Sequence, residues 1–143
     1  MRVLFVCTGN SCRSQMAEGW LRHLSEGRIA VESAGLEAHG VNPMAIAAMA
    51  EQGVDIRSQT SKTVDEGMLA RADLVVTVCD HADAHCPVLP PGVRKQHWPF
   101  PDPAKAQGDA RAVRQVFRDV CLAIRAAVQA FLADAPVSDR PQP

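Results

Sequence analysis

A chain of 143 residues with a formal net charge of -1 can bury one sizeable core but not two, and its balanced charge excludes a basic field for nucleic acid or anionic membrane. The apolar run Val3 to Cys7 is too short for a signal peptide or a membrane span, so a cytoplasmic location is expected; no cofactor is expected either. Five cysteines, an odd number, then argue against a static disulfide framework and for thiols kept reduced by the cell.

In chain order, Val3 to Val6 predicts a strand feeding a Gly-containing turn, and Ala17, Trp20, Leu21 and Leu24 predict a helix from Ser14 onward. Ile29 to Ala34 predicts a second strand, and Pro43 opens a helix with Ile46, Met49 and Ala50 on one face. Thr63 and Glu66 have capping-box spacing ahead of Met68 and Leu69, and Leu74 to Val78 predicts the third strand. Cys79 to Pro91 is polar and ends in prolines, which predicts mostly loop, followed by a short strand over Arg94 to His97. Pro99, Pro101 and Pro103 predict an extended segment around Asp102. Val113, Val116, Phe117, Val120, Ile124, Val128 and Phe131 mark a long amphipathic helix from Asp109 to Leu132. The expected organisation is one domain over residues 1–133 with a flexible tail over 134–143. Alternating strands and helices favour a parallel sheet with helices on both faces and a crevice at the carboxyl ends of its strands.

The segment Cys7-Thr8-Gly9-Asn10-Ser11-Cys12-Arg13-Ser14 puts a cysteine, five residues and an arginine between a strand and a helix. Amide groups of such a turn converge on one point, and the helix dipole favours an anion there. Gly9 permits the tight backbone, Arg13 supplies a planar fork for two oxygens, and the same field favours a thiolate at Cys7. Ser14 is placed to donate to that sulfur and Asn10 to brace the loop. Cys12 has no placed partner and is expected to pack, as is Cys121 one turn from Phe117.

At these residues the chain resembles the thioredoxin-coupled arsenate reductases built on the low-molecular-weight protein tyrosine phosphatase fold. The resemblance runs through Cys7 to Trp20, Ser33-Ala34-Gly35, His39 to Pro43, Asp73 to Cys79, Cys86 to Pro91, His97-Trp98 and Asp102-Pro103. It implies a flavodoxin-like α/β three-layer sandwich with a four-stranded parallel sheet in the order 2-1-3-4. It further implies Cys7 as first nucleophile, Arg13 as oxyanion binder, Asp102 as proton donor, and Cys79 and Cys86 as relay thiols. Arsenate is then the substrate and thioredoxin the electron donor, with glutaredoxin and glutathione as the alternative, and the protein a monomer. Some members of the family bind potassium through residues matching Asn10, Glu18 and Ser33 and an aspartate where this chain has Lys62. The expectation here is that Lys62 pairs with Glu18 in place of the ion.

Arsenate is close to phosphate in shape and charge, so reduction differs from hydrolysis by a supply of two electrons, and two further thiols meet that need. Neighbouring strands lie about 4.8 Å apart and a disulfide wants Cα atoms roughly 4.4 to 6.8 Å apart, which allows Cys7 and Cys79 to meet if both end adjacent strands. Three other readings compete. His81, His85 and His97 with Cys79 and Cys86 offer zinc ligands, but six residues between the cysteines suit a structural zinc site poorly, and no metal is expected. A tyrosine phosphatase would use Cys7, Arg13 and Asp102, yet Pro103-Ala104-Lys105 after Asp102 lacks an aromatic wall for a phosphotyrosine ring. A non-catalytic oxyanion-binding module would leave Cys79 and Cys86 without a role.

Overall fold

Val3 to Cys7 are buried on both faces, as the residues of a central strand must be, and they form β1 (Arg2–Cys7) in a computed structural model that describes residues 1–136 and 139. The elements that follow are α1 (Arg13–Leu24), β2 (Ala30–Gly35), α2 (Pro43–Glu51), α3 (Glu66–Arg71), β3 (Leu74–Thr77), α4 (Asp80–Ala84), β4 (Arg94–His97), a short 3-10 turn over Pro103–Lys105, and α5 (Ala110–Ala133). The strands are parallel in the order β2-β1-β3-β4. Helix α1 packs against α5 and α2, while α3 and α4 each pack against β1. Among the described residues no helix is long and apolar enough to cross a membrane.

The core packs where the patterns intersect. Phe117, Val120, Cys121, Ile124 and Val128 form the buried stripe of α5, and Trp20 of α1 donates its indole N–H to the carbonyl of Cys121 at 3.1 Å. Trp98, just past β4, packs between Phe5 and Phe131, with ring centroids 5.6 and 5.7 Å away. β4 is an exposed edge strand whose Arg94, Lys95 and Gln96 face solvent.

Three local readings are corrected. Residues 80–84 form α4 rather than loop, because the sulfur of Cys79 accepts from the Ala82 N–H at 3.3 Å and so caps the turn. The third strand ends at Thr77, which leaves Cys79 as a helix cap rather than a strand terminus. Helix α3 is capped by Asp65, whose carboxylate accepts from the Met68 N–H at 2.8 Å, instead of by Thr63. Thr63 is unavailable because its backbone is extended beside Gly35. Of the expected tail, Ala135 is buried and Asp139 lies 3.9 Å from the Met1 ammonium, while residues 137, 138 and 140–143 lie outside the described residues.

Candidate active site

The loop between β1 and α1 is built by turning its carbonyls outward. The carbonyl of Cys7 accepts from Leu36 N–H (3.1 Å), that of Thr8 from Glu37 (2.8 Å), that of Gly9 from His39 (2.9 Å) and that of Ser11 from Asn42 (3.0 Å). Gln15 Nε2 donates to the Asn10 carbonyl at 3.1 Å, and Cys12 O accepts from Met16 in the first turn of α1. With these carbonyls held from outside, the amides of the loop and of the α1 N-terminus are left to face the opposite side, where an anion would be bound. The left-handed position belongs to Asn10 (φ 47°), not to a glycine. Gly9 leaves room for a neighbour: a side chain there would displace the imidazole of His39, whose Cγ would lie 3.0 Å from its Cβ.

A buried chain of hydrogen bonds leads to the nucleophile. Arg22 donates to Glu18 Oε2 at 2.7 Å, Ser33 Oγ donates to Glu18 Oε1 at 2.7 Å, and Asn10 Nδ2 donates to Ser33 Oγ (3.0 Å) and Ser14 Oγ (2.8 Å). The Asn10 amide is oriented by the Lys62 backbone N–H, which donates to its Oδ1 at 2.9 Å. A carboxylate only accepts, so the polarity of the chain is fixed at Glu18. Ser14 Oγ receives from Asn10 and lies 2.8 Å from Cys7 Sγ, so its own hydrogen is available to a thiolate there. Glu18 is therefore paired with Arg22, one helical turn on, and not with Lys62, whose ammonium donates to the Thr60 carbonyl at 3.3 Å. The expected Lys62 pairing is overturned by proximity, since Glu18 and Arg22 share a helix face. With its carboxylate committed to Arg22 and Ser33, and a lysine at position 62, this set does not fit a potassium ion.

Cys7 is 3% exposed and Cys79 4% exposed, and Thr8 Oγ1 lies 3.4 Å from Cys79 Sγ. The β1–β3 register pairs Val6 with Thr77, so Cys79 sits one residue past the position opposite Cys7, in the extended cap that follows β3. Arg13 reaches from the head of α1 to the Asp102 segment, donating to the Phe100 carbonyl at 3.1 Å with Asp102 Oδ2 at 3.7 Å. Thr8, Arg13, Cys79, His81, Phe100 and Asp102 line a cleft of about 720 Å³ at the carboxyl ends of the strands. A larger hollow of about 890 Å³ lies beside Met1, Arg94 and the end of α5, away from the nucleophile.

The remaining thiols differ in kind. Burial, more than any neighbouring charge, pushes the Cys12 thiol up to about 11. Cys12 thus contributes the N-cap backbone of α1 to the loop while its sulfur packs. Cys86 is half-buried two residues beyond α4, outside the cleft lining, and desolvation raises its thiol too. His85 and His81 stack with ring centroids 4.3 Å apart, and among the described residues no group of three or more His, Cys, Asp or Glu is arranged to hold a metal. The structure brings Cys7, Thr8, Arg13, Cys79 and Asp102 together and holds Cys86 apart. Sequence reasoning did not find the segment from Leu36 to Asn42 that clasps the loop, the brace of Gln15, or His81 and Lys105 at the cleft. The backbone clasp has no side-chain signature, whereas Arg22 four residues after Glu18 was a legible helix pair.

Comparison with known proteins gives a consistent picture. Residues 2–139 match the family model for low molecular weight phosphotyrosine protein phosphatase. The chain is 57% identical over 102 residues to arsenate reductase 2 of Staphylococcus epidermidis, covering 71% of this chain and 78% of that one. A solved arsenate reductase in the phosphate binding state superposes with a TM-score of 0.76 at 38% identity, covering 94% of this chain and 98% of the other. The thioredoxin-dependent arsenate reductase of Corynebacterium glutamicum superposes with a TM-score of 0.69 at 25% identity, over 94% of this chain and 63% of that one.

Proposed function

Because this chain belongs to the low molecular weight phosphotyrosine protein phosphatase family, we propose that it turns that family's oxyanion loop to redox use, as a cytoplasmic, monomeric arsenate reductase whose catalytic domain spans residues 1–133. The observation that carries the reading is the second buried thiol, Cys79, beside Thr8 of the loop. A phosphatase needs no such group.

Arsenate sits on the loop amides and Arg13, and Cys7 attacks arsenic as thiolate. An S–As bond forms, an As–O bond breaks, and Asp102 gives its proton so that the oxygen leaves as water. Cys79 then attacks the sulfur of Cys7. The electron pair of the S–As bond stays with arsenic, which departs as arsenite, and the two sulfurs are oxidised to a disulfide. Two thiols have supplied two electrons and two protons, and arsenate has lost one oxygen as water. Cys86 next attacks Cys79, returning Cys7 as thiolate and leaving a Cys79–Cys86 disulfide for thioredoxin to reduce.

The last exchange demands a change of shape. With α4 wound, its five residues at about 1.5 Å each set its two ends about 7.5 Å apart, beyond the roughly 6.8 Å that a disulfide spans, and Cys79 and Cys86 flank those ends. Helix α4 must therefore unwind during each cycle.

The test is arsenite release coupled to NADPH oxidation with thioredoxin and thioredoxin reductase. Wild-type protein should turn over repeatedly, and Cys7→Ser should release nothing. Hydrolysis of aryl phosphates without any arsenate reduction would leave the phosphatase reading standing. Equal turnover with glutaredoxin and glutathione would reassign the electron donor.

A further inference from the structure

Helix α4 is five residues long, too short to hold itself together in water, so its folded state depends on what grips it. Two acidic side chains of α4 are held by the strands beneath. Asp83 Oδ1 accepts from Lys95 Nζ at 2.8 Å and from Thr77 Oγ1 at 3.1 Å, and Lys95 Nζ also lies 3.4 Å from the Asp83 carbonyl. Asp80 Oδ1 lies 2.9 Å from His97 Nε2, and the other ring nitrogen of His97 is 2.8 Å from Thr77 Oγ1. Lys95 and His97 belong to β4 and Thr77 to β3, so both contacts tie the helix to the sheet. The hydrogen bond from Lys95 holds the Asp83 carboxyl below the usual carboxylate range, which keeps that contact ionic at neutral pH.

The third grip is the reacting group itself. The Ala82 N–H is capped by Cys79 Sγ, the sulfur that is consumed when a Cys7–Cys79 disulfide forms. A disulfide sulfur carries no charge and accepts weakly, so oxidation removes the cap at the moment when unwinding is needed. The side-chain ties are untouched by that oxidation.

We infer that Asp83 with Lys95, and Asp80 with His97, are positioning residues that keep α4 wound and set the rate at which Cys86 reaches the oxidised Cys79. This rests on the thiol relay proposed above. In the step concerned the Cys86 thiolate attacks Cys79 sulfur, the Cys7–Cys79 bond breaks, and its electron pair leaves on Cys7. One disulfide replaces another without net oxidation, and the Cys86 proton goes to solvent. Cys79 loss of the cap loosens the helix, the ties restrain it, and the two thiols are kept apart until arsenate has been reduced.

The experiment uses the reduced full-length protein, one equivalent of arsenate and no reductant, with acid quench, alkylation and peptide mass spectrometry over time. In wild-type protein a Cys7–Cys79 disulfide should form and convert to Cys79–Cys86. In Lys95→Ala and Asp83→Asn the first disulfide should form at the wild-type rate and convert about twofold to fivefold faster, the effect expected of one exposed ion pair. Lys95→Arg should restore the wild-type rate. Amide exchange across residues 80–84 of the reduced protein should quicken by a similar factor in the two weakened variants. Unchanged or slower conversion overturns the inference, as does unchanged amide exchange if a variant fails at the first disulfide. Absence of the Cys7–Cys79 disulfide in both wild type and Cys86→Ser would instead remove the relay itself.

Discussion

Replacing Asn10 by alanine should unfold the loop's scaffold before it alters anything else. The side chain is fully buried and donates to Ser14 and Ser33 while accepting from Gln15 Nε2 (3.0 Å) and the Lys62 N–H (2.9 Å). Truncation leaves each of those partners one bond short, at about 0.5 to 1.5 kcal/mol apiece, and alanine at φ 47° costs about 1 to 2 kcal/mol more than glycine there. The expected loss is about 3 to 8 kcal/mol, a large fraction of the stability of a domain this size. Urea titration at constant m-value measures it, with Asn10→Gly as the comparison that removes the same bonds without the backbone penalty. The alanine variant should be the less stable of the two by about 1 to 2 kcal/mol, and kcat/KM for arsenate should fall at least tenfold in both. A loss under 1 kcal/mol in Asn10→Ala would refute the account of how the loop is braced.

Gly35→Ala should cost about 1 to 3 kcal/mol, because the new methyl would meet the Glu37 carbonyl and lie only 2.7 Å from Asn10 N and 2.8 Å from Thr8 O; a thermal midpoint equal to wild type would count against this. With its thiol pushed up to about 11, Cys12 in the folded protein should resist iodoacetamide at pH 8, and alkylation at the rate of a free cysteine there would contradict the packing role. The Cys86 thiol is raised by burial, so its protonated, slow form persists to higher pH, and its alkylation in the reduced protein should still be accelerating above pH 9. A plateau by pH 8 would show the opposite shift. Potassium and sodium chloride at matched ionic strength should give equal activity, since Arg22 already neutralises Glu18; a rise specific to potassium would mean that the pair opens.

How far the sequence could be read depended on the range of the force involved. The strand Val3–Cys7, the turn and the α1 start were legible because burial and spacing act locally, and the apolar stripe of α5 declared itself over many turns. The resemblance supplied the strand order. Helix α4 was hidden: Ala82 is its one buried residue, and its ties run to Lys95 and His97, 12 and 17 residues away. Its cap is a sulfur, which carries no ordinary capping signal. The loop's clasp by residues 36–42 was likewise invisible, being made of backbone bonds between segments whose side chains say nothing of them. Cys7, Arg13, Cys79 and Asp102 could be named from sequence, but the outward-turned carbonyls and the polarity of the Glu18 to Ser14 chain required coordinates.

The central claim is that electrons pass from Cys7 through Cys79 to Cys86, and Cys86→Ser tests it most directly. Given excess arsenate with thioredoxin, thioredoxin reductase and NADPH, this variant should release no more than one arsenite per molecule and stop with Cys7 joined to Cys79. Continued NADPH oxidation with arsenite accumulating over many cycles would show that the relay does not run through Cys86.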